Sequence, residues 1–449
     1  MSDIPMDRRI ALAKRYPEQF NIQYPRAAYC HEKFQRTDST IEFLKESDLL
    51  LYLHIPFCEH RCAYCNFAVD IRPDARLHSA YVKALIRNIE QLDNFLPVET
   101  RIHGIDIGGG TPSLIDVDSL ILLMQSLKPF IARSVVANPI SIETSPRIAA
   151  TDPLKMRAIR DSGVSRISMG VQSLTNDVIC QMARKKEFGY DSTAMQNLRE
   201  AGFNRINTDV MFGLPRQSEE DWLSDLQKVI DLNPDSITTY DCLYRSDDRQ
   251  IVRSGRSVPS PEQVGRLYDL AYKRLLENGY MAPYGSENYS RHQGETGTSP
   301  YFEGRLLKHV PYIGLGNNAS SQRASEWYFS PYGVDDWIEA TGLLCENSVF
   351  VVGDGYKMPQ QELMAKQVIL SLQFGEIRKL EFTQRFGIQI EQVFPEALQH
   401  AVSQNWLRQE SGKYTIVPNN FTNMPYLRSL FYTDDAISWL EESLSKKLS

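Results

Sequence analysis

Long apolar runs are absent from this sequence. No stretch comes near the ~18 consecutive apolar residues that a membrane-spanning helix needs, and the opening MSDIPMDRRIALAKRYPEQF has neither an apolar h-region nor a small-residue cleavage site. That pattern predicts a cytoplasmic chain with no membrane span. Positive charge is also in short supply: 49 Lys+Arg against 56 Asp+Glu leave a formal charge of −7, which argues against nucleic acid as a partner. Cysteine is scarce, seven in 449 residues, so a disulfide-stapled fold is excluded. With 42% hydrophobic and 23% charged residues, disorder and collagen-like repeats are excluded as well. At roughly 150 residues per domain the length predicts two or three domains.

What is present is alternation. From about residue 49, short β-branched runs alternate with longer helix-compatible stretches. Strands are predicted at 49–55 (LLLYLHI), 101–107 (RIHGIDI), 139–144 (PISIET), 165–171 (SRISMGV), 204–211 (NRINTDVM) and 235–241 (DSITTYD). A long helix is predicted from about Ala75 to Leu96, and Ser218-Glu219-Glu220-Asp221 opens another as an N-cap followed by an acidic first turn. Six βα units fall short of the eight of a closed barrel. The expected fold class is therefore α/β, a partial (β/α)6 barrel with an N-terminal arm and a small, mainly helical C-terminal domain. The expected boundaries are 1–48 for an extended arm holding Tyr24-Pro25, 49–245 for the barrel, 246–355 for polar, Gly-rich segments covering its mouth, and 356–449 for a C-terminal domain read as helix, helix and strand pair.

The few cysteines are unevenly spread. Cys58, Cys62 and Cys65 fall within HIPFCEHRCAYCNF, directly after the first strand, and only a loop can converge three sulfurs at that spacing. A structural zinc site normally takes four ligands, and no second Cys-x-x-Cys stands in this chain. Three thiolates on one loop suit a cubane iron–sulfur cluster with one iron open; a zinc completed by His54 or His60 is the alternative the residues leave. Cys30, Cys180, Cys242 and Cys345 are isolated and read as small buried apolar residues, with Cys30 set apart because its arm is placed to reach the mouth.

The run Cys58-x-x-x-Cys62-x-Tyr64-Cys65 resembles the loop of the radical S-adenosylmethionine (SAM) superfamily. Tyr52-x-His54-x-Pro56-Phe57-Cys58, Gly108-Gly109-Gly110-Thr111-Pro112-Ser113, Gly170-Val171-Gln172-Ser173 and Asp209-Val210-Met211-Phe212-Gly213-Leu214-Pro215 follow in order. Together they resemble the oxygen-independent coproporphyrinogen III oxidase-like subfamily, which also contains haem chaperones, radical methyltransferases and cyclopropanases. The resemblance runs from about residue 15 to 320. It implies a 4Fe–4S cluster on Cys58, Cys62 and Cys65, SAM on the open iron, a small-molecule substrate, and an electron donor such as flavodoxin or ferredoxin.

It also implies roles residue by residue. Tyr64 stands where the family contacts adenine, with simple loop packing as the alternative. Gly108, Gly109, Gly110 and Thr111 would lie against the methionyl amine, since glycines let a backbone approach a ligand. Glu143, at the C-terminal end of a parallel strand where such sheets bind ligands, would bond that amine. Gln172, Arg184 and Asp209 match SAM-contacting positions: Arg184 offers a bidentate fork and Asp209 accepts from ribose hydroxyls, although a solvated place in a basic run is the other reading of Arg184. Tyr52 and His54 share one strand face and are the catalytic candidates beside the cluster and a second SAM. Phe67 joins the cofactor-binding set.

The sequence also departs from its relatives. Phe67 occupies the position of a fourth cysteine in the decarboxylating oxidases. The His-Asn-x-x-Tyr-Trp motif of the haem chaperones is replaced by Gly297-Thr298-Ser299-Pro300-Tyr301-Phe302, with only His292 and His309 nearby. With the arm present and both motifs missing, the expected function is methylation or cyclopropanation of an sp2 carbon using two SAM molecules. Haem chaperoning and oxidative decarboxylation are the alternatives.

Overall fold

A computed structural model describes residues 4–21, 23–242, 259–344 and 348–448. Most of the polar stretch after residue 242 and Cys345, both named above, lie outside the described residues. The arm is not extended. Helices α1 (Met6–Arg15) and α2 (Ala27–Lys33) lead into a two-residue strand, β1 (Gln35–Arg36). These helices form because the arm finds a surface to pack on. The Arg9 guanidinium donates to the carbonyls of Ser429 and Tyr432 and pairs with Asp434, the Tyr24 and Tyr29 hydroxyls donate to Glu362, and Trp439 donates to Glu32.

Six strands follow at the expected places: β2 (Asp48–Ile55), β3 (Arg101–Gly109), β4 (Ile140–Thr144), β5 (Arg166–Gln172), β6 (Ile206–Phe212) and β7 (Ser236–Asp241). They pair in parallel in sequence order, and helices follow each of them. Period-two alternation divides β2 between two faces. Leu49, Leu51 and Leu53 enter the main apolar core with Tyr81, Leu85, Ile89 and Leu92 of α3 (Ala75–Phe95). Leu50 and Tyr52 turn to the other face, toward Tyr301 and Tyr312. The Asp74 carboxylate caps α3 by accepting from the Arg76 and Leu77 amides. The helix Glu219–Asp231 starts with a reciprocal Ser218/Asp221 capping box and buries Trp222, Leu226 and Val229.

The sheet continues beyond these six strands. The short β8 (Asn288–Ser290) pairs antiparallel with β7, and β9 (Tyr312–Leu315) adds a seventh parallel strand on the far side of β2. Gly314 and Leu315 are the last two residues of β9. The turn begins at Gly316, whose φ of +107° suits glycine. Antiparallel β10 (Ser320–Arg323), β11 (Glu326–Phe329) and β12 (Asp354–Lys357) then lead out to β1, giving a 12-stranded open sheet ordered β1-β12-β11-β10-β9-β2-β3-β4-β5-β6-β7-β8. The fold class is α/β, a partial barrel of parallel strands with a helix-rich C-terminal region.

That region carries the helices Lys379–Phe386, Ile390–Val393 and Pro395–Ser403. Its hairpin, Leu407–Glu410 with Lys413–Ile416, gains a third strand, Glu376–Arg378. Its apolar residues, Phe382, Ile390, Leu398 and Leu407 among them, belong to the same buried cluster as the barrel. Among the described residues no helix is long and apolar enough to cross a membrane.

One stretch expected over the mouth lies at the opposite end. The helix Pro300–Leu306 packs on the first halves of β2 and β3, and Arg166, the first residue of β5, donates to the Gly297 carbonyl. The approach is possible because Gly104 has no side chain: a Cβ there would stand 2.4 Å from the Tyr301 nitrogen and 2.8 Å from the Pro300 carbonyl carbon. Both obstacles are backbone. Gly104→Ala is therefore expected to lower stability by about 1–3 kcal/mol through overpacking, measured by urea denaturation; an unchanged midpoint would contradict the packing described.

Candidate functional site

The C-terminal ends of β2 and β3 are interlocked. The Gly110 and Thr111 amides donate to the carbonyls of Ile55 and Phe57 at 2.8 Å each. Gly109 has a φ of +118°, and a Cβ on it would lie 2.6 Å from the His54 ring; a Cβ on Gly110 would meet the Pro56 carbonyl at 2.6 Å. The glycines are required here by close approach, as well as by the turn.

From this junction the cysteine loop leaves and returns. The Cys58 amide donates to the Asp70 carbonyl (3.0 Å) and the Asp70 amide to the Pro56 carbonyl (2.8 Å), so both ends of the loop are pinned together. Its tip is tied across the mouth by the Ala63 amide, which donates to the Met182 carbonyl at 3.1 Å. His54 fastens the inside. Its Nε2 lies 3.0 Å from the Ala68 carbonyl, an atom that can only accept, so Nε2 carries the proton and Nδ1 accepts from the Tyr52 hydroxyl at 3.2 Å. Burial brings its pKa down to about 4, which keeps the ring neutral.

Polar groups are aimed at the sulfurs. Arg184 Nη1 donates to Cys62 Sγ at 3.3 Å while Nη2 donates to the Gly170 carbonyl at 2.7 Å, so Arg184 is an interior residue and not a solvated member of its basic run. The Thr111 hydroxyl lies 3.5 Å from Cys58 Sγ. Burial raises the Cys58 thiol to about 11; at Cys62 burial acts in the same direction, but the donors His60 and Arg184 outweigh it and bring the thiol down to about 7. Tyr64 packs with Val178, Met182, Met211 and Leu214, beside Tyr240. Phe67 does not join this group, and its side chain is 63% exposed. Cys30 is also elsewhere, buried where the arm meets the C-terminal region near Lys366 and Glu362, with its thiol pushed up to about 12.

Next to the loop is an acidic cradle. The Gly109 amide donates to Glu143 Oε2 at 3.2 Å, and a Cβ on Gly108 would stand 2.8 Å from Glu143 Oε1. Asp209 accepts from Ser168 and Asn207, and Asp106 accepts from Ser299 at 2.6 Å. Gln172, with a φ of 70° at a bulge between β5 and β6, accepts from the Tyr240 hydroxyl at 2.5 Å. Enclosure by protein, then the neighbouring Asp209 charge, raises Glu143 to about 8, and burial raises Asp106 to about 6. Arg166 is the cation among these three acids. With Arg166 and Arg184 as the cations of the mouth, a positively charged group arriving beside Glu143 would favour the ionised form of that carboxyl.

The loop and the glycine run were legible from spacing. Asp106, Arg166 and Tyr240 were not, although Asp106 stands two residues before Gly108 in a strand and therefore on the same face. Among the described residues no three His, Cys, Asp or Glu side chains gather tightly enough to ligate one ion. A cubane takes one thiolate per iron, so its ligands stand apart. The donor set of three thiols, with an arginine and a hydroxyl on two of the sulfurs, fits such a cluster.

Residues 52–229 match the model of the radical SAM superfamily. This chain contains a radical SAM domain. The superfamily uses a 4Fe–4S cluster and SAM, and the match spans the cysteine loop together with Asp106, Glu143, Arg166, Gln172 and Asp209, while Tyr240 and Ser299 lie beyond it. The chain is 24% identical over 354 residues to the heme chaperone HemW of Bacillus subtilis, covering 77% of this chain and 89% of that protein. It is 28% identical to the oxygen-independent coproporphyrinogen III oxidase of Cereibacter sphaeroides over 51% of each chain, so the match spans about half of that relative. The coproporphyrinogen III oxidase HemN of Escherichia coli shares the fold, with a TM-score of 0.73, 20% identity, and coverage of 94% of this chain and 98% of that one.

The raised Glu143 carboxyl sets a pH dependence. Below about pH 4.5 it is protonated in folded and unfolded chains alike and costs nothing. As pH rises toward about 8 the unfolded chain ionises first, so Glu143 increasingly disfavours folding. Glu143→Gln is expected to stabilise the protein by about 0.5–1 kcal/mol at pH 8 and by almost nothing near pH 4.5, the effect being reduced because the carboxylate meets water in the mouth. Chemical denaturation across this range, without SAM, measures it; a gain that is flat with pH would show that Glu143 is not raised.

Proposed function

We propose that this protein is a SAM-cleaving radical enzyme acting on a tetrapyrrole, by hydrogen abstraction of the coproporphyrinogen oxidase type. The observation that carries the reading is the acidic cradle of Glu143, Asp209 and Asp106, joined to the three-cysteine loop through residues 109–111, which meet Glu143 at one end and Cys58 at the other. When bound, the reduced 4Fe–4S cluster and SAM supply a 5′-deoxyadenosyl radical. Cys58, Cys62 and Cys65 would hold the cluster. Arg184 would steady the charge on Cys62, and Glu143 would accept from the SAM ammonium beside Gly108 and Gly109. A bound cation there would draw the Glu143 pKa down again, so ligand binding and ionisation of this carboxyl reinforce each other. Asp209 and Gln172 would take the ribose and the remaining polar groups, Tyr64 the adenine. Tyr52 and the neutral His54 hold the loop base and wall the site from water.

The tetrapyrrole comes from the relatives, since coproporphyrinogen and heme, printed in their names, both belong to that class. Methylation or cyclopropanation, expected from the sequence, has no specific support among these relatives. The second reading is a heme carrier, favoured by the long alignment with HemW. Opposing it, His292 is paired with Asp235 and both ring nitrogens of His54 are engaged, while His309, whose Nε2 has no partner, faces a cavity lined by Arg305, Lys366 and Arg385.

The test is anaerobic incubation of the cluster-reconstituted protein with SAM, dithionite and either coproporphyrinogen III or haem, followed by mass spectrometry. Expected are 5′-deoxyadenosine and a tetrapyrrole of altered mass from the wild type, and neither from Cys62→Ala, with Glu143→Gln at least about tenfold slower. A mass loss of carbon dioxide identifies the oxidase outcome. S-adenosylhomocysteine with a one-carbon gain would replace it by methyl transfer from a second SAM. A stoichiometric Soret band with no 5′-deoxyadenosine would replace the enzyme by the carrier.

A further inference from the structure

A second charged region lies behind the barrel wall, where β9 and β10 meet the helix Gln360–Ser371. A cavity of about 30 Å³ opens there, lined by Arg305, His309, Gln322, Lys366, Gln367 and Arg385. One water needs roughly 10–15 Å³ by the same measure, so the enclosed part accepts two or so oxygen-sized atoms, with an opening to solvent beyond. No Asp or Glu lines it.

The cations here have no ion-pair partner. Lys366 is only 7% exposed; its ammonium donates to the Gln322 amide oxygen at 2.9 Å and lies 3.5 Å from the centre of the Trp327 ring. Arg385 donates to the Gln367 amide oxygen at 3.0 Å, and Arg305 stacks over Tyr312 at 4.5 Å. Among the described residues none of the three makes a salt bridge, and His309 Nε2 is buried with no hydrogen-bond partner. The carboxylate one helical turn before Lys366, which would ordinarily neutralise it, is Glu362, and that group is committed to Tyr24, Tyr29 and Thr433. Arg323, also at the cavity, is already matched by Glu46 and Glu326.

Buried cations are tolerated when paired, and leaving one with only neutral acceptors is costly. Burial and mutual repulsion with Arg305 and Arg385 push the Lys366 pKa far down, and burial lowers Arg385 to about 10. A ligand of opposite sign relieves all of these costs together. We propose that this cleft binds a phosphate-class oxyanion, held by Lys366, Arg385 and Arg305 with His309 Nε2–H as a further donor. Its walls come from β9, β10, the helix Gln360–Ser371 and the helix Lys379–Phe386, so an anion seated there ties the C-terminal region to the barrel. The site is independent of the tetrapyrrole reading.

Isothermal titration of the full chain at constant ionic strength, with inorganic phosphate and separately with phenyl phosphate, tests it. One saturable site is expected for phosphate, at least about tenfold weaker in Lys366→Met and in Arg385→Gln, because each loses a charge-assisted bond. Binding of phenyl phosphate as well would identify the natural ligand as the phosphoryl end of a larger molecule; phosphate alone would identify the free ion. Absence of saturable binding for both anions overturns the proposal. So does unchanged affinity in Arg385→Gln, a position less buried than Lys366 that keeps the test available if Lys366→Met fails to fold.

Discussion

Everything at the mouth depends on how closely two backbones approach. At the ends of β2 and β3 the chain runs so near the His54 ring and the Pro56 carbonyl that Gly109 and Gly110 leave no room for a methyl group. That contact fixes the exit direction of the cysteine loop, and the amide pairs between Cys58, Asp70 and Pro56 fix its return. The Gly109 amide also donates to Glu143, so the loop and the acidic cradle are positioned by one piece of packing. A neutral His54, held through both nitrogens, is what lets this junction be buried without an uncompensated charge.

Much of this was readable in advance because the relevant signals are local. The strands β2 to β7 begin and end close to their expected places, since the buried faces of a parallel sheet demand nearly continuous β-branched and aliphatic runs. The cysteines and the glycine run are contiguous in sequence. The short β9 to β12 were hidden because each has only four residues, set among glycine, asparagine and serine, and is held by pairing instead of propensity. The arm looked extended because its helices owe their existence to Glu362, Tyr432 and Asp434, more than 300 residues away. Asp106, Arg166 and Tyr240 come together through sheet curvature and register, which no window of sequence contains.

The molecule keeps charges of opposite sign on either side of a wall of tyrosines. Inside the barrel, Glu143, Asp209 and Asp106 stand with Arg166 and Arg184. Behind it Lys366, Arg385 and Arg305 have no carboxylate. Tyr52, Tyr301 and Tyr312 lie between: Tyr52 stacks with Tyr301 at 5.8 Å, and Arg305 covers the outer ring. Aromatic faces accept a guanidinium while presenting apolar surface to their other neighbours. Two regions of contrary potential therefore lie close together without an ion pair across the wall, although the Arg305 charge still reaches Asp106 and favours its ionised form.

The clasp between the two ends of the chain has a temporal meaning. Tyr24 and Tyr29 emerge from the ribosome early, but their acceptor Glu362 and the neighbouring Thr433 are among the later residues to be made. At ordinary elongation rates of ~5–20 residues per second the arm waits on the order of 20 seconds or more for its surface. During that interval its aromatic residues are exposed while the βα units are completed one after another. The arm is made more than 300 residues before the surface it docks on, so its docking registers that the helix Gln360–Ser371 has been synthesised.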